Sequence, residues 1–221
     1  MLTNVILPLE TLSSGSSLAA RRIHYALTKD RSLAGRSTGR HDDGRLRKQP
    51  HYLQTNPTVS GNLPRIGSGQ SVTVTVVDGR ESNVLGTRSG AAMANDTITV
   101  EAYDVIPKLQ AQAEAAISQM GFTPTTQPAP DRPSMTLTLA QLNYEKADAE
   151  PVIDKAQLLA RLRAEVANDN LIYTGTYTAK REQTYALSPN REANTEMVND
   201  VLSRALARAF NDPQVGQLLA R

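Results

Sequence analysis

Hydrophobic periodicity begins at Ser71, and its change of type along the chain constrains the fold more than any other feature. Residues 71–78 alternate valine with threonine and end in Asp-Gly, which is the period of a β-strand with one strongly apolar face. A period of 3.6 residues then runs to Met120, with Asp104 as the predicted cap and Gly121 as the stop. The pattern therefore predicts a strand, a long connection over 79–103 that is interrupted by the short β-like segment TITV at 97–100, and a helix.

Three further strands are predicted after residue 133. The segment 134–144 alternates and then changes phase, which indicates a β-bulge near Ala140. Residues 156–167 fit a strand and a helix almost equally well by spacing, and their residue types favour helix. We interpret them as a strand, because the turn residues 168–170 lead directly into the β-prone segment LIYTGTYTAKR.

The last elements are helical. After Ser188-Pro189, a plausible cap and first helical residue, a wide apolar stripe runs to Phe210, and Asp212-Pro213 restarts a short helical turn. Plain core burial is the commoner explanation of a stripe this wide, while an apolar surface left for a dimer is the alternative.

The order of these elements predicts an α+β fold. We expect a two-layer α/β sandwich of order β-α-β-β-β-α, with a four-stranded mixed sheet and two helices on one face. The chain contains no cysteine, so such a domain over 71–221 would be stabilised by its core without disulfides.

The preceding part of the chain lacks this periodicity. Residues 1–50 carry nine Lys and Arg against four Asp and Glu, whereas the remainder carries 15 against 18. We predict a disordered basic tail over 1–50 and a flexible tether over 51–70, which is rich in Pro, Gly, Asn and Ser. The tail could bind nucleic acid through phosphate charge, but it lacks interleaved aromatic residues, and a solvated tail is the simpler interpretation.

No motif for catalysis or cofactor binding is present. The sequence has no phosphate-binding glycine loop, no zinc-protease helix and no nucleophile elbow. Its three histidines, His24, His41 and His51, all lie at or before the start of the tether. The acidic residues between 145 and 154 could hold a hard cation, but a solvated loop is the commoner case. We therefore predict no enzyme activity, no cofactor and no metal site.

One polar set follows the first strand. Asp78, Arg80 and Arg88 lie at the start of the long connection, and the carboxyl ends of strands in α/β sheets are frequent ligand sites. They are candidates for binding an anionic group or partner. The simpler alternative is a turn in which the aspartate caps local amides and the arginines are solvated.

Two tyrosines form the second candidate set. Tyr173 and Tyr177 share one face of the predicted strand across Gly175, and they could form an aromatic platform for a partner. Packing within the core or on the sheet is the commoner role of such a pair.

The order and spacing of several segments carry a resemblance. These are VTVTVVDGR with VLGTR, the helix VIPKLQAQAEAAISQMGF, the strand TLTLAQLNY, the Y-T-G-T-Y strand and the final run ANTEMVNDVLSRALARAFNDPQVGQLL. With them, residues 51–221 resemble the YajG-like family of bacterial lipoproteins. The resemblance implies a cleaved signal peptide, a lipidated cysteine and residence at the outer membrane facing the periplasm, with no established biochemical activity.

The chain departs from this family in residues 1–50. The apolar signal region and the lipidated cysteine should precede Tyr52, and neither is present. We therefore expect no lipid anchor and no targeting signal in the chain as written, and we hypothesise that residues 1–50 reflect a misassigned start or an altered sequence.

The resulting functional prediction is a non-catalytic domain that binds an unknown envelope protein or component. The alternative is a small-ligand receptor or enzyme that uses the connection 79–103. A deep polar pocket with perturbed carboxylates below that connection would favour the enzyme, and a filled sandwich with an exposed apolar patch would favour the binding domain.

Overall fold

The computed structural model of the chain describes residues 51–59, 61–87, 97–146, 155–184 and 190–221. These parts form three helices and eight strands in two mixed sheets, which confirms the predicted α+β class. The elements in chain order are β1 His51–Tyr52, β2 Ser71–Asp78, β3 Val84–Thr87, β4 Thr97–Thr99, α1 Ala102–Gln119, β5 Thr123–Thr125, β6 Ser134–Lys146, β7 Lys155–Asn168, β8 Leu171–Thr184, α2 Arg191–Phe210 and α3 Pro213–Leu219.

The main sheet has five strands in the order β5-β2-β6-β7-β8. Strand β2 is parallel to both β5 and β6, whereas β6, β7 and β8 form the predicted antiparallel meander. The predicted count of four strands was wrong because β5 was interpreted as part of a polar crossover. Its Pro124 cannot donate to a ladder, but a proline is tolerated on an edge strand such as this one.

The ambiguous segment 156–167 is a strand, as predicted. It forms most of β7, which pairs along its whole length with β8 through a two-residue turn at Asp169 and Asn170. Asp169 has a positive φ of 52°, which this residue type tolerates in a tight turn. The predicted bulge is also confirmed, since the pairing of β6 with β7 shifts register between Leu139 and Gln141.

One face of the main sheet carries the hydrophobic core. The residues that alternate inward on β2, β6 and β7 are buried, and side chains of all three helices belong to the same core cluster. They include Val74, Leu137, Leu162, Leu109, Leu202, Phe210 and Val215. The three described helices therefore lie on one face of the sheet, and none of them lies on the other face.

A small second sheet occupies part of the long connection. Its order is β1-β4-β3, with β1 parallel and β3 antiparallel to β4. Strand β4 confirms the short β-like segment expected near residue 97, whereas β1 and β3 were not predicted.

Two helix starts differ from the predictions. Helix α1 begins at Ala102 with Glu101 as N-cap, so Asp104 lies in its first turn. Helix α2 begins at Arg191, and the side chain of Asn190 accepts a hydrogen bond from the Ala193 amide. Ser188-Pro189 lies outside the described residues. None of the helices in the described ranges has the length and apolarity needed to cross a membrane.

Residues 53–59, here called the strap, lie along the helix layer, which differs from the flexible tether expected over 51–70. Leu53, Thr55 and Pro57 are buried. Their alternation with exposed neighbours shows why the segment can pack in an extended conformation. The predicted basic tail lies outside the described residues and stays a prediction.

Candidate interaction surface

Asp78 and Arg80 pair with each other. The Nε and Nη2 groups of Arg80 donate to the two carboxylate oxygens of Asp78 at 2.9 and 2.8 Å, and Nη1 donates to the Val100 carbonyl at 3.1 Å. The arginine side chain is only 2% exposed. Hydrogen bonds from Arg80 hold the pKa of Asp78 below its ordinary value.

This pair ties the end of β2 to the segment before α1. The buried guanidinium has its donors occupied within the chain, so it is not presented to solvent as a separate anion-binding group. Arg88, the third residue of the predicted set, lies outside the described residues.

Tyr173 and Tyr177 meet at a single carboxylate. Both hydroxyl groups donate to Oδ2 of Asp212 at 2.7 Å, while Oδ1 of Asp212 accepts from the Gln214 amide at 2.9 Å as the N-cap of α3. The tyrosines therefore fasten the last helix to β8.

The ionisation of these three groups reflects the shared contact. Burial and the hydrogen bond to Asp212 raise the pKa of Tyr177, and the hydrogen bond to Asp212 raises that of Tyr173. Burial acts to raise the pKa of Asp212, but the hydrogen bonds from both tyrosines and the Gln214 amide outweigh it and lower the pKa.

Gly175 makes room for this arrangement. A Cβ at this position would lie 2.2 Å from the Tyr177 hydroxyl oxygen, so the tyrosine ring covers the glycine. The sequence indicated the shared face of the two tyrosines but not their acceptor. Asp212 was assigned only to the start of the last helical turn, and its position 35 residues after Tyr177 gave no local signal.

Part of the main sheet presents an exposed, mostly polar surface on the side opposite the helices, while Leu159 on the same side of β7 is buried. We call it the open face, and it consists of the exposed side chains Thr75, Val77, Arg161, Arg163, Glu165, Thr174 and Thr176. Pairing places them in rows across the sheet, with Thr75, Thr136, Glu165 and Thr174 in one row. Arg163 and Glu165 form a solvent-exposed ion pair at 3.4 Å. None of these residues was predicted as a candidate.

A second exposed set lies near the end of β2. Tyr103 is 78% exposed, Tyr52 is 48% exposed and Val84 is 39% exposed. Thr99 of β4 pairs with Tyr52 of β1 on one side and with Val84 of β3 on the other. Tyr103 lies in the first turn of α1. We call these three residues the apolar end.

An open depression of about 360 Å³ lies away from the long connection. It is lined by Gln70, Ser71 and residues 129–133, at the beginning of β2. Among the residues that the structure describes, no cluster of His, Asp and Glu could hold a metal ion.

Comparison with known proteins gives one family match. The model of a family described as uncharacterized lipoprotein matches residues 57–220. No curated protein matches this chain significantly.

Several solved structures are similar at low identity. A protein of Xanthomonas campestris is 13% identical over 77% of this chain and 94% of its own, with a TM-score of 0.47. A minor lipoprotein from Acinetobacter baumannii is 13% identical over 67% of this chain and 91% of its own, with a TM-score of 0.40. The rare lipoprotein B from Shewanella oneidensis is 13% identical over 67% and 98%, with a TM-score of 0.41.

Proposed function

Because this chain belongs to the YajG-like family of uncharacterized lipoproteins, a class of cell-envelope protein, we propose that it is a non-catalytic domain that binds a protein or another envelope component at the periplasmic face of the outer membrane. The observation that carries the proposal is the open face. Its exposed threonines and charged residues lie on a sheet whose other face is filled by the helices.

The shape of the open face favours a macromolecule. Four strands at about 4.8 Å spacing and the five residues from Arg161 to Glu165 at about 3.3 Å each give a surface of about 19 by 17 Å. Small ligands bind in concave pockets that enclose most of their surface. An exposed sheet surface of this size instead corresponds to a small, weak or transient protein–protein contact.

The chemistry of the open face supports a polar contact. Arg163 and Glu165 are both about half exposed, and an ion pair on the surface contributes little to folding stability. These charges are therefore available to set the register and orientation of a partner at little cost to the fold.

The residues predicted from sequence enter this proposal in a supporting role. The Asp78 and Arg80 pair follows Val77 at the end of the open face and fixes that end of β2. Tyr173 and Tyr177 hold α3 against β8, on the core side of the sheet. Arg88 stays a predicted contact.

A photo-crosslinking experiment tests the proposal. A photoreactive amino acid replaces Thr176, the open-face residue of the edge strand β8 that pairs with Arg163. The full chain is incubated with solubilised envelope proteins of the source cell before illumination. We expect a discrete crosslinked species, identified by mass spectrometry, whose yield falls when Arg163→Glu reverses the charge beside the probe.

The matched control carries the same photoreactive amino acid at Gln119, an exposed position at the end of α1. It should not yield that species. Equal crosslinking from both positions, or a yield that Arg163→Glu does not change, would contradict binding through the open face.

A further inference from the structure

The strap fixes the path by which the chain enters the domain. The Leu53 amide donates to the Thr99 carbonyl at 2.9 Å, and the Thr55 amide and hydroxyl donate to Oδ2 of Asp104 at 2.8 and 2.9 Å. Asp104 also accepts from Lys108 at 2.6 Å. The first residues of the strap are therefore attached beside the start of α1.

The second helix holds the rest of the strap. The Asn56 amide donates to the Asn199 side chain at 2.6 Å, and the Thr58 amide donates to the Ser203 hydroxyl at 2.9 Å. Because both helices bind strap backbone, the strap cannot swing freely while these contacts persist. A force or an anchor applied upstream of His51 therefore acts at one defined place on the domain.

The apolar end lies at that same place. Tyr52 immediately precedes the strap, and Val84 pairs with the Thr99 whose carbonyl accepts from Leu53. The Asn83 side chain donates to Glu101 at 2.9 Å, which holds β3 next to the start of α1 and so next to Tyr103. Exposed tyrosine and valine are thus gathered where the chain enters.

The opposite end of the sheet offers a contrasting position. Ile172 on β8 pairs with Ala167, which pairs with Ser134 at the beginning of β6. Asp78, at the end of β2, pairs with Leu139, and Leu139 pairs with Leu162. These three residues form a different row across the sheet from the row of Ile172. Ile172 is 70% exposed and lies several residues along the strands from the apolar end.

We propose that the apolar end, formed by Tyr52, Val84 and Tyr103, contacts a lipid surface when the chain is anchored upstream of the strap. The inference rests on the lipoprotein character in the proposed function, since a lipid anchor precedes the domain in the family that the chain resembles. Tyrosine is enriched at membrane interfaces because its ring is apolar and its hydroxyl can stay in water. The two tyrosines and the valine would orient a domain that an anchor already holds at high local concentration.

The charge near the apolar end is mixed. Glu81 lies three residues before Val84 and Glu101 two residues before Tyr103, while His51 directly precedes Tyr52, and Asp104, which pairs with Lys108, directly follows Tyr103. Attraction to an anionic surface is therefore no part of the proposal. The contact rests on apolar burial, and a zwitterionic surface tests it directly.

The absence of tryptophan and cysteine from the sequence makes a direct test possible. In the full chain, Gln49→Cys provides a single attachment point for a maleimide lipid, and Tyr103→Trp provides a single tryptophan. The anchored protein is placed on vesicles of phosphatidylethanolamine and phosphatidylcholine with bromine near the headgroup. We expect the tryptophan emission of the Tyr103→Trp chain to fall relative to vesicles without bromine.

The matched control keeps the same anchor and carries Ile172→Trp instead. Its emission should not change with bromine. The proposal would be overturned if bromine quenched both probes or neither probe. It would also be overturned if the Tyr103→Trp probe were quenched only after phosphatidylglycerol is added. Thermal unfolding of both variants should match that of the parent chain, since both positions are exposed.

A second variant tests the apolar contact itself. Adding Tyr52→Ser and Val84→Ser to the anchored Tyr103→Trp chain should restore most of the lost emission, and unchanged quenching would overturn the role of the apolar end. The vesicles contain no protein, so failure here leaves crosslinking at the open face unaffected, and failure of that crosslinking leaves this test intact.

Discussion

Replacing Asp212 with alanine tests whether one carboxylate fastens the last helix to the sheet. The change removes the acceptor of the Tyr173 and Tyr177 hydroxyls and the cap of the Gln214 amide, three hydrogen bonds of 2.7 to 2.9 Å. It also leaves the largely buried Tyr177 hydroxyl without the oxygen that it contacts in the native chain.

The expected cost follows from these contacts. Loss of an N-cap costs about 1 kcal/mol, and each hydrogen bond to a charged group contributes about 1.5 kcal/mol at the low end of its range. The low end applies because the carboxylate is partly solvated. We therefore expect Asp212→Ala to lower the free energy of unfolding by about 4 kcal/mol, which is large for a single substitution.

Urea denaturation at pH 7, followed by circular dichroism, measures this change. Asp212→Asn should cost about half as much, because the amide oxygen still accepts hydrogen bonds but carries no charge. Asp131→Ala, at an exposed aspartate, is the matched control and should leave the midpoint unchanged. A loss below about 1 kcal/mol for Asp212→Ala would refute the reasoning, as would an undiminished further cost of Tyr177→Phe in that background.

Three other predictions concern the same contacts and the strap. The stability difference between the parent chain and Tyr177→Phe should be constant from neutral pH to the ordinary tyrosine pKa of 10.0 and should shrink above it. The reason is that the pKa of Tyr177 is raised in the folded state. Urea titrations across this pH range check the sign. Gly175→Ala should lower the free energy of unfolding by about 2 kcal/mol in the same assay, since the added methyl displaces the Tyr177 hydroxyl from Asp212. Asp104→Asn should speed amide exchange at Thr55, measured by mass spectrometry, while the Ile66 amide, bound to the Met120 carbonyl, keeps its protection.

The pH dependence of Asp104 has the opposite direction from that of the tyrosine. Burial acts to raise its pKa, but Lys108 and Thr55 outweigh burial and lower it. A carboxylate with a lowered folded pKa stabilises the fold at neutral pH and loses that contribution as the pH falls through the folded value. The protection of the Thr55 amide, corrected for the pH dependence of intrinsic exchange, should therefore fall at acidic pH in the parent chain, and it should fall less in Asp104→Asn.

Local periodicity was sufficient to predict the long elements. Alternation alone could not distinguish strand from helix in β7, whose residue types favour helix. The turn at Asp169 decided the question, because it pairs β7 with the strongly β-prone β8. The α+β class and the order of the main elements follow from these two kinds of signal. Strand β5 escaped prediction because three residues with a central proline carry no period.

The contacts of the candidate residues could not be predicted in this way. The strap depends on side chains that lie up to 145 residues further along the chain, and the two tyrosines share an acceptor on another element. Arg80 reads as a free cation in the sequence, and only the fold brings the Val100 carbonyl within its reach. Open-face residues carry ordinary strand alternation, so nothing in the sequence separates a solvated face from a binding one.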